Sequence, residues 1–529
     1  MASYSRPCPY NLRSRAVRLD STPLAAVPGG SHPAVNTPPN MSIVAPRVKK
    51  RVPDQAKVLH SSFSLSSTLP RYKMEAASNN VHLAEEDCDV NVFDGSLNAM
   101  CREDMKEFAE QLLSIKALLW TTGENQSSST KKKTKRGGVR NTRAEEFAKG
   151  DAFLQKQYSL NERAYSNALI VTGVAFDVSK DCPTVSTGWH GRQPSLMDRN
   201  LIQDLYVSGE IKDTIEKQFK PVPYSLSNPQ PALLIDCDGR TFGYRTTQVN
   251  WLKDHASIFC DAVLELLGPH IANPRLAAHH ASGNRGPHFP CIIGHCRQYL
   301  KSPDLTHFHK ENIDSVERFC RTNVIRRVTS FVSSLVITMF PGVALRTLRT
   351  AEWHEKKHGI RPLFGLFWNL CINGIFKGQK SVSTLPHVDA KNIIGICVVL
   401  VYLIPGYTFN HKKKAWLVLW EAGIAVELPP WVAFMYPSSL FLHFNIDIDD
   451  IKFVITDGDR PTKDNSSPLG GVGDEGRGSL VYYNQASMYN GPETGFDTLA
   501  MAKASGQRAS VNSVEISQQA YPQHRSAPQ

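Results

Sequence analysis

The stretch from Pro386-His387-Val388-Asp389 to Phe441-Leu442-His443-Phe444 decides the fold. Between those ends the chain reads as strand. Residues 393–404 (IIGICVVLVYLI) form a near-continuous apolar run, residues 415–420 (AWLVLW) a second and residues 431–436 (WVAFMY) a third. Runs rich in β-branched and aromatic residues, cut by Pro405-Gly406 and Pro429-Pro430, are strands of a buried sheet or barrel. His387 and Asp389 are two positions apart, so on a strand both side chains leave the same face. A later strand that delivers His443 completes two imidazoles and one carboxylate, a donor set for a divalent metal with positions left open.

A His-x-Asp pair alone says little, because a surface His beside an Asp usually does nothing. Its context says more. The pair sits where a loop enters a strand, a His follows after several strands, and Arg477-Gly478-Ser479 opens one more strand (RGSLVYY, 477–483). This order resembles the Fe(II)/2-oxoglutarate-dependent dioxygenase superfamily. Residues 362–488 look most like a group of uncharacterised fungal oxygenase-like proteins. They are more distantly similar to the oxygenases that oxidise methyl groups on nucleic-acid bases. The resemblance implies an α+β fold with a double-stranded β-helix, or jelly roll, and supporting helices. It implies Fe(II) on His387, Asp389 and His443, with the distal carboxylate of 2-oxoglutarate on Arg477 and Ser479. An arginine suits that role because its planar fork meets a carboxylate with two parallel bonds. The implied reaction is oxidation of a C–H bond in a modified base, a protein side chain or a small molecule. A catalytically inactive jelly-roll interaction module is the alternative.

One feature departs from the superfamily pattern. Arg477 lies 34 residues after His443, where the superfamily arginine usually follows closely. Residues 457–476 (DGDRPTKDNSSPLGGVGDEG) read as an inserted loop. Arg460 is nearer but sits in turn sequence, and strand placement favours Arg477.

The 529 residues carry a formal charge of +11. Residues 1–150 hold 22 Lys and Arg against 15 Asp and Glu, or +7, which leaves +4 for the rest. The basic excess is therefore N-terminal. Two clusters carry it, residues 46–51 (PRVKKR) and 131–136 (KKKTKR). Each reads as a nuclear import signal, as a weak nucleic-acid contact, or as no more than solvated linker. The eleven Cys form no disulfide framework. No apolar run opens the chain as a secretory signal would, and none approaches the length of a membrane span. These features read as a reducing, intracellular protein, nuclear rather than cytoplasmic, with no membrane partner.

The expected organisation is a disordered tail over 1–95, an amphipathic helix and basic linker over 96–150, a dioxygenase-like domain over 151–495 with its β-helix core at about 360–490, and a disordered tail over 496–529. The first helix carries Cys101, Met105, Phe108, Leu112, Ile115 and Leu119 on one face, with Ser96 as N-cap. It either docks on the main domain or pairs with a partner. Residues 232–245 read as a hairpin turning at Asp236–Arg240. Residues 251–267 read as a helix with Ile258, Ala262 and Leu266 inward, stopped by Gly268-Pro269; residues 313–340 read as a second long helix. Residues 360–373 read as the strand feeding the His-x-Asp loop. His279, His280, His288, Cys291, His295 and Cys296 lie close in sequence but match no tight zinc spacing, so they read as loop and core residues. Trp416, Trp420 and Trp431 read as core rather than pocket lining.

Overall fold

The computed structural model describes residues 73–76, 103–121, 153, 156–157, 159–172, 176–297, 300–448 and 474–524. The rest of the expected 1–95 tail, Ser96, both basic clusters, Arg460 and residues 457–473 lie outside the described residues.

The architecture is mixed α+β. The strands are β1 (Lys73–Ala76), β2 (Leu169–Thr172), β3 (Lys220–Val222), β4 (Ala232–Ile235), β5 (Thr241–Gln248), β6 (Phe289–Cys296), β7 (Asp304–Leu305), β8 (Asn369–Gly374), β9 (Cys397–Leu403), β10 (Trp416–Leu419), β11 (Ile424–Val426), β12 (Val432–Tyr436), β13 (His443–Ile446) and β14 (Arg477–Tyr483). Ten of them form one sheet in the order β1-β2-β4-β5-β12-β9-β14-β8-β6-β7. The other four form a second sheet, β13-β10-β11-β3. From β8 onward the chain alternates between the sheets: β8 and β9 lie in the large one, β10 and β11 in the small one, β12 in the large, β13 in the small and β14 in the large. The large sheet draws in strands from well before residue 360, so the sheet framework extends beyond the expected 360–490 core.

The three apolar runs become β9, β10 and β12, and their residues pack on both faces. Leu417 and Leu419 of β10 join the main core, whereas Trp416 and Val418 join a separate cluster with Trp420, Ile211, Ile215 and Phe219. Strand periodicity sends alternate residues to opposite faces, and here both faces are dry. Trp416, Trp420 and Trp431 are all buried core residues, as the alternation suggested. The hairpin forms as expected, with Gly239 at φ 77 in its turn. Gly478 has a packing reason: a Cβ there would stand 2.1 Å from the Tyr402 ring, so only glycine lets β14 lie against β9 under that side chain.

The helices that bear on the argument are α1 (Glu103–Thr121), α2 (Leu196–Ser208), α3 (Glu210–Gln218), α4 (Ala256–Ile271), α5 (Asn323–Met339), α6 (Pro341–His358), α7 (Ser487–Thr494) and α8 (Ser513–Ala520). Helix α1 packs on α6 and buries Phe108, Leu112 and Ile115, so it docks on the main body. Helices α2 and α3 cover the outer face of the small sheet through Ile202, Ile211 and Ile215.

Several expectations need correction. The helix expected over 313–340 breaks at Thr322, whose extended backbone (φ −60, ψ 129) separates Ile313–Arg321 from α5. The break re-aims the axis so that Val316 and Phe319 before it, and Val324, Val328 and Val332 after it, all reach the core. Helix α4 runs through Gly268-Pro269 to Ile271, because a proline in the last turn forfeits one hydrogen bond without ending the helix. Its inward stripe is Phe259, Ala262, Val263 and Leu266, and Ile258 is 55% exposed. The strand expected over 360–373 is confined to β8. Residues 360–368 turn, with Gly365 at φ 62 packed against Ser333.

The C-terminal segment differs most from its expectation as a disordered tail. Residues 496–524 carry Leu499–Ala504 and α8 and bury Ala502, Ala509, Ala520 and Tyr521. The Tyr521 hydroxyl donates to Gly395 O at 3.1 Å, and Thr241 N donates to Pro522 O at 2.8 Å. In the same way Lys73–Ala76, within the expected N-terminal tail, pairs antiparallel with β2. Replacing Tyr521 with alanine should destabilise the fold by about 3–5 kcal/mol, as for other fully buried large aromatics. Urea unfolding of Tyr521→Ala checks this, and an unchanged midpoint would mean the segment only rests on the surface.

Candidate metal centre

The extended segment 382–387 lies along β13. Asn445 N donates to Thr384 O at 2.9 Å, His387 N donates to His443 O at 3.1 Å, and His443 N donates back to His387 O at 2.9 Å. This mutual pair sets the two histidines directly opposite one another. Their rings meet with centroids 4.3 Å apart. Two residues on, Asp389 N donates to Ser438 O at 3.1 Å, which brings its carboxylate to the same side. His387 Nε2 lies 3.9 Å from Asp389 Oδ1, and His443 Nε2 lies 3.9 Å from Asp389 Oδ2. The three ligand atoms all fall within 4.8 Å of one another. Among the described residues this is the group of His, Cys, Asp and Glu that converges closely enough to share a metal ion.

The protonation states suit that use. Each ring donates its Nδ1 hydrogen to the carbonyl two residues before it, His387 to Leu385 O at 2.7 Å and His443 to Phe441 O at 2.9 Å. A carbonyl can only accept, so in the neutral rings both Nε2 atoms keep their lone pairs and face the carboxylate. Burial pushes both histidines below the ordinary range, His387 well below it; His443 and Arg285 add to the effect at His387. Burial favours the protonated form of Asp389, but Arg285, His443, His387 and the Ser438 hydroxyl together outweigh it. The carboxyl is held below its ordinary value. Of these partners Arg285 makes a direct ion pair, its Nη2 2.8 Å from Asp389 Oδ1.

Arg477 and Ser479 leave β14 on one face and are both buried. Arg477 Nη1 donates to Val382 O at 2.5 Å, and the guanidinium stands 5.8 Å from the centre of the Phe409 ring. Its Nε has no hydrogen-bond partner, and among the described residues no carboxylate lies within ion-pair distance of it. Burial pulls its pKa down to about 10, so it stays a cation at neutral pH. Burial of this cation is costly, and the charges of Asp447 and Glu475 offset part of that cost without a direct ion pair. Ser479 Oγ accepts from Asn373 Nδ2 at 3.0 Å, which leaves the hydroxyl proton for another acceptor. The segment 382–389 joins the two halves of the arrangement, with Arg477 on Val382 at one end and the histidine–aspartate group at the other.

Sequence reading missed Arg285, Asn373 and Ser438, and took His288 only as a loop or core residue. His288 is buried, hydrogen-bonds Asn373 and is pushed down to about 4 by burial, then by Arg285, His280 and Arg477. The only local signal was the Gly-Asn-Arg-Gly-Pro loop ahead of β6. It is the pairing of β6 with β8 that brings this mostly exposed loop alongside segment 382–387. The other histidines and cysteines of that region separate: His280 packs on Phe289 and Phe376, His295 on Trp368, and Cys291 is core. A cavity of about 870 Å³ lies elsewhere, lined by α1, α6, α7 and α8, and none of the five expected site residues borders it.

No protein-family model matches the chain, and no curated protein is similar to it. Among solved structures, the chain is similar to NgTET1 in complex with 5mC DNA at 11% identity and a TM-score of 0.30, over 54% of this chain and 90% of that one. So loose a superposition carries no argument about individual residues, and the centre rests on its own geometry.

His288, His295 and His354 are all depressed to about 4, chiefly by burial. Their unfolded value is about 6.5, so between the two values the unfolded chain binds more protons than the folded one. The stability they allow is complete above about pH 6.5 and is lost as pH falls toward 4. By pH 5 each should cost about 2 kcal/mol. Urea midpoints at pH 7.5 and 5 should fall accordingly; a flat profile would contradict buried neutral imidazoles.

Proposed function

We propose that this protein is an Fe(II)- and 2-oxoglutarate-dependent dioxygenase with a double-stranded β-helix core. The observation that carries the reading is the convergence of two imidazole Nε2 lone pairs and one carboxylate within 4.8 Å. The strand order supports it. In the large sheet β8, β14, β9 and β12 are neighbours, and in the small one segment 382–387 extends β13-β10-β11. Eight segments thus alternate between two layers, as a jelly roll requires.

His387, Asp389 and His443 would hold the iron, a facial set with three positions left open. Arg477 and Ser479 would hold the distal carboxylate of 2-oxoglutarate. When bound, Fe(II) would let O2 act as the oxidant, one oxygen atom going to 2-oxoglutarate, which is oxidised to succinate and carbon dioxide, and the other to the substrate C–H bond. The remaining work falls to the chain itself. The Leu385 and Phe441 carbonyls hold both rings in the tautomer whose Nε2 can ligate. The buried guanidinium of Arg477 gives an anionic co-substrate one orientation. The apolar packing of β9 and β12 keeps water from the interior. For partners we propose nuclear import and weak, salt-sensitive nucleic-acid contact through the basic clusters at 46–51 and 131–136.

Anaerobic titration of the wild-type protein with Fe(II) and 2-oxoglutarate should produce a weak visible charge-transfer band. Asp389→Ala should abolish that band and the conversion of 2-oxoglutarate to succinate, since two imidazoles alone hold Fe(II) poorly. Arg477→Ala should leave iron bound but weaken 2-oxoglutarate by about 2–5 kcal/mol, the range for truncating a buried charge partner. Wild-type protein that binds no iron would end the enzyme reading and leave a jelly-roll interaction module.

A further inference from the structure

Arg285 comes from the loop between the helix Pro274–His280 and β6, far in sequence from the residues it serves. Its Nη2 sits 2.8 Å from Asp389 Oδ1, the same oxygen that lies 3.9 Å from His387 Nε2. The other oxygen, Oδ2, faces His443 Nε2. The loop that delivers it is held by its backbone. Leu385 N donates to Arg285 O at 3.1 Å, and Gly286 N donates to Gly283 O at 3.0 Å. Gly286 has φ 112, and a Cβ there would stand 2.4 Å from Ser383 O. Only glycine meets both conditions, so the loop lies against segment 382–387 at close range. The same segment that carries His387 therefore also fixes Arg285.

As a stabilising ion pair the contact is modest, because the Arg285 side chain is 52% exposed and solvent screens it. Its geometric effect is larger. A carboxylate next to two imidazoles can turn about its terminal torsion, and one oxygen held by a guanidinium stops that rotation. We propose that Arg285 is the positioning residue of this metal centre. It engages Asp389 through Oδ1 and so presents Oδ2, with the two Nε2 atoms, as a one-oxygen, two-nitrogen donor set. This rests on the metal-site reading above and adds to it a fourth residue, from outside the alternating β8–β14 framework, which limits the carboxylate to one coordinating oxygen. Ligand-orienting partners of this kind typically change metal affinity 10- to 100-fold.

The test uses the full chain and Co(II) alone, a coloured divalent probe whose visible bands report coordination number. Wild type should bind one Co(II). Arg285→Ala should weaken it at least about tenfold and shift the bands toward higher coordination as Asp389 turns to offer both oxygens. Arg285→Lys, which keeps the charge but not the planar fork, should recover part of the affinity and not the wild-type spectrum. Circular dichroism of each variant without metal confirms that it is folded, and Arg285→Gln takes the place of any that is not. Affinity and spectrum unchanged in Arg285→Ala would overturn the proposal and leave a plain structural ion pair. Tighter binding in that variant would overturn it too, showing a competing cation. Wild type that fails to bind Co(II) is a separate outcome, which removes the metal centre itself and with it any positioning role.

Discussion

The reciprocal backbone hydrogen bonds between His387 and His443 are the constraint on which the centre depends. One peptide pair sets two imidazoles opposite each other, and the pleat then returns Asp389 to the same face. A slip of one residue in that pairing would send a histidine to the far side and disperse the group. The register is held by its surroundings. Asn445 Oδ1 accepts from both Thr384 N and Thr384 Oγ1, Ser438 O accepts from Asp389 N, and β13 is paired along its other edge with β10.

Burial does the second part. Arg477 and the Asp389 carboxylate are buried between the sheets, and the half-exposed Arg285 guanidinium reaches Asp389 from the surface. His288, His387 and His443 are kept neutral by desolvation and by those cations. The buried donors include orphans, Arg477 Nε among them.

The sheets are also tied together at the edge of the small sheet away from β13. Glu427, fully buried, accepts from Tyr224 N at 2.7 Å and meets His411 at 2.5 Å and Lys412 at 3.0 Å. Arg245 donates to Val222 O, Pro223 O and Glu427 O. This network joins β3 and β11 of the small sheet to β5 of the large one. Helices α4 and α5 back the large sheet, Phe259 against Tyr402 and Thr329 against Tyr482, which leaves the opposite face of β9 and β14 for Arg477 and Ser479.

The sequence by itself determined what covalent geometry and short periods control. The strands β9, β10, β12 and β14, the hairpin at 232–245, the shared face of His387 and Asp389 and the inward Phe108, Leu112 and Ile115 of α1 were readable, because each depends on residues a few positions apart, whereas Leu119, expected on the same stripe, is 37% exposed. The tertiary structure alone decided what depends on register. His387 meets His443 across 56 residues and Asp389 meets Arg285 across 104, and no local pattern encodes either distance. The break at Thr322 and the docking of residues 496–524 belong to the same class. The C-terminal segment is too polar to look like core, yet one aromatic, Tyr521, is fully buried and donates to the Gly395 carbonyl.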